Sequence, residues 1–297
     1  MTALPPICTV IPCYNREDTV AEAVRSVLDQ EYDGDHRVIC VDDRSTDRTM
    51  DRLHAIDDPR LTVVTSTRPN GPSGARNHGV ALCDTPWVAF QDSDDIWLPG
   101  RLSRTVLAAL EMEGAVASYC AMVVKEDAGP DTPVQARYPR PGTAPLSGDI
   151  LPALAMTSFI STQMLTLRRD AFEAVGGFDE DLPVLVDWEL MLRVAQIGPV
   201  AHVDETLVVQ RMSPNSVTHS SPRRLKSQER ILEKHRDLLG RYPEALAHHH
   251  HRIAGAHRRF GQFADGKPHA WAAAKAFPWR SKHLLHALYL QARVALG

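Results

Sequence analysis

Through the first half of the chain, short apolar and β-branched runs alternate with amphipathic stretches of helical length. Residues 7–11, 38–41, 61–65 and 87–90 predict strands buried on both faces, and 19–30, 46–56 and 73–82 predict the helices between them. Strand and helix in strict alternation imply an α/β fold with a doubly wound, mostly parallel sheet and flanking helices. Asp18 before Thr19, Ser45 before Thr46 and the Gly71-Pro72-Ser73-Gly74 turn read as helix starts. The loops that follow the strands then collect at the carboxyl edge of the sheet, where open α/β sheets bind ligands.

Residues 125–148 are rich in Pro, Gly and acidic side chains without a sustained period, and predict a loop on the acceptor side. Residues 151–167 are apolar and return the chain to the core, and Gly176-Gly177-Phe178 leads into a helix over 187–196. From Pro222 onward His, Arg, Ala and Leu recur at helical spacing with no further strand-like run. Three or four helices are expected there, with pieces over 243–264, 268–277 and 281–296 packed as a cap. The expected division is an α/β domain over 1–221 and a helical region over 222–297.

The 297 residues are 43% hydrophobic and 24% charged, enough to bury a sizeable core. A formal net charge of -4 supplies no overall basic field, so nucleic acid is not an expected partner. The five cysteines form no C-x-x-C pair and read as reduced, buried thiols. No run is long and apolar enough to span a bilayer and no signal peptide opens the chain, so the expectation is a cytoplasmic protein, peripheral on a membrane if it meets one. The run His248 to His251 invites a metal reading, but four successive residues of a helix point in different directions and do not face one ion.

The strongest chemical signal is Phe90-Gln91-Asp92-Ser93-Asp94-Asp95-Ile96-Trp97-Leu98-Pro99, directly after the fourth predicted strand. Three carboxylates in four residues at the end of a buried strand are costly unless positive charge collects there. If the segment stays extended, Asp92 and Asp94 project the same way and share one target. Mg²⁺ or Mn²⁺ beside a phosphate site suits such hard oxygen ligands. Asp95 reads as a cap of the helix starting near Leu98, which leaves Asp92 and Asp94 for the cation.

A second acidic stretch, Val41-Asp42-Asp43-Arg44-Ser45-Thr46-Asp47, follows the second predicted strand. A carboxylate there can accept the ring N–H of uracil or thymine, or it can cap the next helix. Pro12-Cys13-Tyr14-Asn15 ends the first strand with a ring on which a base can stack. Asn70-Gly71-Pro72-Ser73-Gly74-Ala75-Arg76-Asn77 offers a small-residue turn, a helix start and an arginine, all suited to a diphosphate.

In order and spacing these four segments resemble glycosyltransferase family 2, inverting enzymes of the GT-A fold, from Ile7 to Ser216. The resemblance implies that Pro12, Tyr14, Asn15 and Asp43 serve the nucleoside of the donor and that Arg76, Asp92 and Ser93 lie along it. It places Asp94 on the metal with Asp92 beside it. The family's "E-D-x-x-L" segment matches Val186-Asp187-Trp188-Glu189-Leu190, so Asp187 takes the position of the catalytic base, with Val186 where Glu is usual and Glu189 in reserve. The segment from Val209 to Ser216 resembles the donor-closing segment, with Arg211 near the diphosphate. Gln210 and Arg211 are adjacent and no tryptophan follows, unlike the Q-x-x-R-W of the processive synthases. Arg44 stands where the family commonly has Gly.

The resemblance thus implies one sugar moved from a UDP- or dTDP-sugar to an acceptor hydroxyl on a saccharide, lipid-linked glycan or small molecule, in the synthesis of bacterial surface polysaccharide, glycolipid or a glycosylated metabolite. Mg²⁺ or Mn²⁺ is the implied cofactor. The helical region offers a surface for peripheral membrane contact or oligomerisation. Two other readings compete: a catalytically idle nucleotide-sugar-binding or partner-binding domain, and a nucleotidyltransferase, although the latter usually carries a glycine-rich loop where Pro12-Cys13-Tyr14-Asn15 stands.

Overall fold

This computed structural model describes residues 3–67, 71–129, 131–212 and 222–295. Two compact units emerge: Met1–Leu151, Phe159–Asp181 and Val186–Ser216 form an α/β unit, and Pro152–Ser158, Leu182–Leu185 and Val217–Gly297 form a helical unit.

The chain begins with β1 (Ile7–Cys13), α1 (Val20–Leu28), β2 (His36–Asp42), α2 (Thr49–His54), β3 (Leu61–Thr65), α3 (Gly71–Ala81) and β4 (Trp87–Phe90). Every residue of β1 and β4 is buried, as their unbroken apolar sequence requires in a sheet covered on both faces. Helix α1 buries Val20, Ala23, Val24, Val27 and Leu28, one stripe at helical spacing. Helix α3 lies closer to the sheet than a side chain allows: a Cβ at Gly79 would stand 2.3 Å from Val10 Cγ1 and 3.2 Å from Val41 Cγ2.

There follow β5 (Ile96–Trp97), α4 (Arg101–Glu111), β6 (Ala117–Lys125), β7 (Ala136–Tyr138), α5 (Leu151–Met156), β8 (Leu165–Arg168), α6 (Arg169–Ala174), α7 (Val186–Val194) and β9 (Val200–Arg211). The sheet order is β3-β2-β1-β4-β8-β6-β9-β5, with β7 on β6. Strands β3, β2, β1 and β4 are parallel, whereas β8 runs antiparallel to both β4 and β6, and β5 antiparallel to β9. The sheet is therefore mixed beyond β4.

Two helix starts differ from expectation. The N-cap residues of α1 and α2 are Thr19 and Arg48, neither making a side-chain cap bond, so Asp18 and Ser45 do not cap. Ser45 instead accepts the N–H of Asn15 at 2.9 Å, which keeps residues 43–48 out of the helix. The stretch 125–148 is also not all loop, because residues 136–138 pair with β6.

In the helical unit, α8 (Pro222–Lys234), α9 (Arg236–Gly240), α10 (Pro243–Arg259), α11 (Phe263–Ala276) and α12 (Ser281–Ala295) follow one another. Among the described residues from Pro222 on, five helices stand where three or four were expected, and Pro268 lies inside α11 instead of opening a helix. Leu225, Leu232, Leu239, Ala245, Ile253 and Ala256 form one apolar core, and Ala254, Ala270, Ala287 and Leu290 a second. No described helix is long and apolar enough to cross a membrane. All five cysteines are buried and unbridged.

Candidate active site

The carboxyl ends of β1 and β2 are laced together by the loops that leave them. In parallel register Pro12 and Cys13 lie beside Val41 and Asp42, and the Asp43 N–H extends the pairing to Cys13 O at 2.8 Å. Tyr14 then emerges 55% exposed, its ring available for stacking. Asn15 adopts φ 49, a left-handed conformation that Asn tolerates, and its Oδ1 accepts the N–H of Thr46 at 2.8 Å. The Arg16 and Glu17 N–H groups donate to Thr49 Oγ1 at 2.7 Å and Asp47 Oδ2 at 3.1 Å. Asn15 thus ties the two loops together.

Asp42 is buried and accepts the N–H groups of Arg44 and Ser45, each at 3.1 Å. Asp43, 9% exposed, accepts the Gly71 N–H at 2.9 Å and so anchors the start of α3. Arg44 occupies a left-handed position, φ 66, which accounts for the family's glycine there. Its guanidinium bonds the Ser66 and Thr67 carbonyls, which hold the residue in that conformation.

After β4 the chain does not continue extended, as alternation had suggested. Asp95 N–H bonds back to Asp92 O at 3.2 Å, so residues 92–95 form a tight turn. Asp92 takes a hydrogen bond from the guanidinium of Arg76, which is buried and lies 5.5 Å over the Phe178 ring. Asp94 lies 3.4 Å from Arg16 Nε, and the same guanidinium donates to Asn15 O at 3.1 Å. Arg16 therefore joins the tyrosine turn to the acidic turn. Ser93 is buried, and its carbonyl accepts Thr19 Oγ1 at 2.9 Å.

Asp95 does not cap a helix; the N-cap of α4 is Gly100. It accepts Gln163 Nε2 at 2.8 Å and the Arg211 N–H at 2.9 Å, fastening the turn to the end of β9. Burial, with the charges of Asp92 and Asp94, pushes its carboxyl well above the ordinary range against those two donors. Asp94 is also raised, by burial first and the Asp92 charge second, with Arg16 and Arg211 opposing. Gln163 carries the network inward: its carbonyl accepts Trp97 Nε1 at 3.2 Å and Arg101 Nη2 at 3.1 Å. Arg101 is fully buried 3.9 Å over the Trp97 ring, and burial lowers its pKa to about 10. The Arg211 side chain reaches Glu22 at 2.7 Å.

Asp187 sits in the first turn of α7, partly buried, its Oδ1 accepting the Trp188 N–H at 2.8 Å. Glu189, its reserve, is fully buried and gripped by Arg193 through both carboxylate oxygens, an ion pair that holds α7 together. Asn77 anchors the segment before α7, bonding Phe178 O and accepting the Phe178 N–H, each at 2.9 Å.

Asp92 and Asp94 suit a small divalent cation in donor chemistry: two crowded carboxylates, each now neutralised by an arginine. Magnesium-type sites commonly use one or two carboxylates and leave other positions to phosphate oxygens and water. Ser213, Pro214, Asn215, Ser216 and Asn70 of the sequence motifs lie outside the described residues. Arg16, Gln163, Arg101 and Glu22 were not singled out from sequence. Only Arg16 had a signal, a cation immediately after the Tyr14-Asn15 turn.

A parallel four-strand half with its loops at the carboxyl edge, followed by an acidic turn and a mixed half, is the GT-A fold. The sequence model of Glycosyl transferase family 2 matches residues 8–176, more than half of the chain, and the chain belongs to that family. It is similar to succinoglycan biosynthesis protein ExoO of Rhizobium meliloti, 40% identical over 35% of this chain and 29% of that protein. The UDP-Glc:alpha-D-GlcNAc-diphosphoundecaprenol beta-1,3-glucosyltransferase WfaP of Escherichia coli is 33% identical over 41% of this chain and 47% of its own length. The matched part thus spans less than half of either relative. Among solved structures, S. aureus TarS 1-349 in complex with UDP-GlcNAc superposes with TM-score 0.65 at 16% identity, covering 98% of this chain and 92% of that one. Mannosyltransferase PcManGT from Pyrobaculum calidifontis, in complex with GDP-Man and Mn²⁺, gives TM-score 0.62 at 20% identity, covering 99% and 87%.

Proposed function

We propose that this protein is an inverting, divalent-metal-dependent glycosyltransferase that adds one sugar from a UDP- or dTDP-sugar to an acceptor hydroxyl. One observation carries the reading: Arg16 contacts both the Asn15 carbonyl and the Asp94 carboxylate, which makes one site of the nucleoside-side turn and the acidic turn. Tyr14 offers its exposed ring to the base, framed by Pro12, Asn15 and Asp43. Arg76 and Arg211 supply positive charge on the diphosphate side, with Asp92, Ser93 and Asp94 forming the acidic turn between them.

Asp94 and Asp92 would hold Mg²⁺ or Mn²⁺, which when bound neutralises charge growing on the leaving diphosphate. Asp187 accepts the acceptor's hydroxyl proton while the oxygen lone pair forms the new bond to the anomeric carbon. The bond from that carbon to the diphosphate breaks on the opposite face, so the configuration inverts. A single base suffices, unlike the carboxylate pair of a glycosidase.

The relatives' names and a feature of the helical unit support a lipid-linked saccharide acceptor and work at the cytoplasmic membrane surface. A cavity of about 560 Å³ in that unit is lined by Arg224, Arg252, Arg258 and Arg259 beside Phe260 and Tyr289, cations and aromatics suited to an anionic amphiphile. Leu284, Leu285 and Leu288 of α12 are exposed, which favours a lipid surface. The cavity shares no residue with the acidic site.

The test is incubation with UDP- and dTDP-sugars and Mn²⁺, following nucleoside diphosphate release with and without lipid-diphosphate saccharide acceptors. Release that depends on Mn²⁺ and disappears in Asp94→Asn supports the reading. Donor binding without any turnover across the panel would make the chain a binding module.

A further inference from the structure

Three helices of the helical unit bring Glu229 of α8, His257 of α10 and His269 of α11 together, with one ligand atom of each within 4.8 Å of the other two. His257 Nε2 lies 2.7 Å from Glu229 Oε1, and His269 Nε2 lies 4.0 Å from the same oxygen. The approach of α10 and α11 is set by Gly266, where a Cβ would stand 3.0 Å from His257 Cβ and 3.2 Å from Ala254 O.

The far nitrogens of both rings are occupied. His257 Nδ1 lies 3.0 Å from Gln262 Oε1, and His269 Nδ1 lies 2.9 Å from His250 Nδ1. In both residues Nε2 is the atom turned toward Glu229; with Nδ1 carrying the ring N–H, the Nε2 lone pair is open to a cation once the proton between His257 Nε2 and Glu229 Oε1 has left. Metal-binding histidines are held in this way by an outer partner on the second nitrogen. The histidine run also acquires a use, since His250 orients His269 while its neighbour His249 turns to the Ala155 carbonyl at 2.6 Å.

We propose that Glu229, His257 and His269 form a binding site for Zn²⁺, with water as the fourth ligand, that staples α8, α10 and α11. Two imidazoles and a carboxylate suit zinc better than the harder Mg²⁺. Zinc bonds of about 2.0–2.2 Å in tetrahedral geometry set ligand atoms roughly 3.3–3.5 Å apart. The two histidine–carboxylate separations, 2.7 and 4.0 Å, lie on either side of that spacing and all three ligand atoms lie within 4.8 Å of one another, so side-chain shifts on the order of 1 Å complete the site. The cation replaces the hydrogen held between His257 Nε2 and Glu229 Oε1, which leaves as a proton. The site uses no residue of the acidic turn and does not depend on the transferase reading.

The test uses the full chain without an affinity tag, stripped by chelator and titrated with Zn²⁺ and with Co²⁺. One equivalent of zinc per chain, a raised melting temperature and the visible band of four-coordinate Co²⁺ are expected. Gln262→Ala should weaken zinc binding about 10–100-fold. Glu229→Gln and His269→Ala should each abolish the cobalt band. His251 and His286, whose Nδ1 atoms lie 3.3 Å apart, form a separate histidine contact, and His251→Ala with His286→Ala should leave the stoichiometry at one. Failure of the wild-type chain to take up stoichiometric zinc, or equal zinc binding by wild type and Glu229→Gln, overturns the proposal.

Discussion

Arg76 is buried and hydrogen-bonded to the Asp92 carboxylate, with its guanidinium 5.5 Å over the Phe178 ring. The planar guanidinium meets the carboxylate and the ring at once, which an ammonium cannot do. Arg76→Lys is therefore expected to lower donor affinity about 10-fold, the loss of one charge-assisted bond. Titration with UDP or dTDP in the presence of Mn²⁺ measures it, and unchanged affinity would place the arginine outside donor binding.

Asp94→Asn should separate catalysis from stability. Burial and the Asp92 charge already disfavour ionised Asp94, so removing its charge leaves thermal stability within about 0.5 kcal/mol of wild type. Turnover should fall by roughly 10²-fold or more as metal assistance is lost. Melting curves and Mn²⁺-dependent donor turnover on the same preparation distinguish the two effects, and a variant as active as wild type would move the metal role away from Asp94.

The parallel half of the fold was legible because its strands are covered on both faces and read as unbroken apolar runs. The mixed half was not: β6 and β9 are just as buried in places, but they are defined by pairing across long sequence separations that no local period records. The motif residues could be named from sequence, whereas their hydrogen-bonding partners could not. Asp95 looked like a helix cap because the distant Gln163 and the Arg211 N–H that satisfy it leave no trace near it in sequence. The resemblance singled out Asp187 with Glu189 in reserve, but the Arg193 clamp that occupies Glu189 became visible only in three dimensions.

The last glycine of the Gly74-Ala75-Arg76-Asn77-His78-Gly79 segment acts through packing. A methyl group at Gly79 meets Val10 Cγ1 at 2.3 Å, in the middle of a strand that has no room to yield. Gly79→Ala should cost about 1–3 kcal/mol, the usual price of overpacking, although alanine is the better helix former. Denaturant unfolding reads this directly, and a neutral or stabilised variant would show that α3 can lift from the sheet.

Acid should loosen the α/β unit through His36. This side chain is buried against Thr9 Oγ1 at 3.0 Å, and burial first, then Arg60 and Arg101, lowers its pKa from 6.5 to about 4. The unfolded chain thus takes up a proton at a higher pH than the folded one, so stability is complete above pH 6.5 and declines as pH falls toward 4. The contribution at stake is about 3 kcal/mol. Unfolding free energies of wild type and His36→Gln across that interval test it, the variant showing the shallower decline; parallel curves would assign the acid sensitivity to other groups.

Asp187 and Glu189 are two residues apart on α7 but differ in surroundings, and opposite outcomes are expected when each is changed. Glu189 is fully buried with both oxygens on Arg193, so Glu189→Gln breaks a buried ion pair and should destabilise by about 3–5 kcal/mol while the folded fraction keeps its specific activity. Asp187 is partly open at the helix start, and Asp187→Asn should keep the melting temperature and leave donor affinity within a few-fold of wild type. Its turnover should nonetheless fall about 10²-fold or more, the usual cost of losing a general base. Measuring stability and turnover on both variants decides between them: an inactive but stable Glu189→Gln beside an active Asp187→Asn would reverse the assignment and make Glu189 the base.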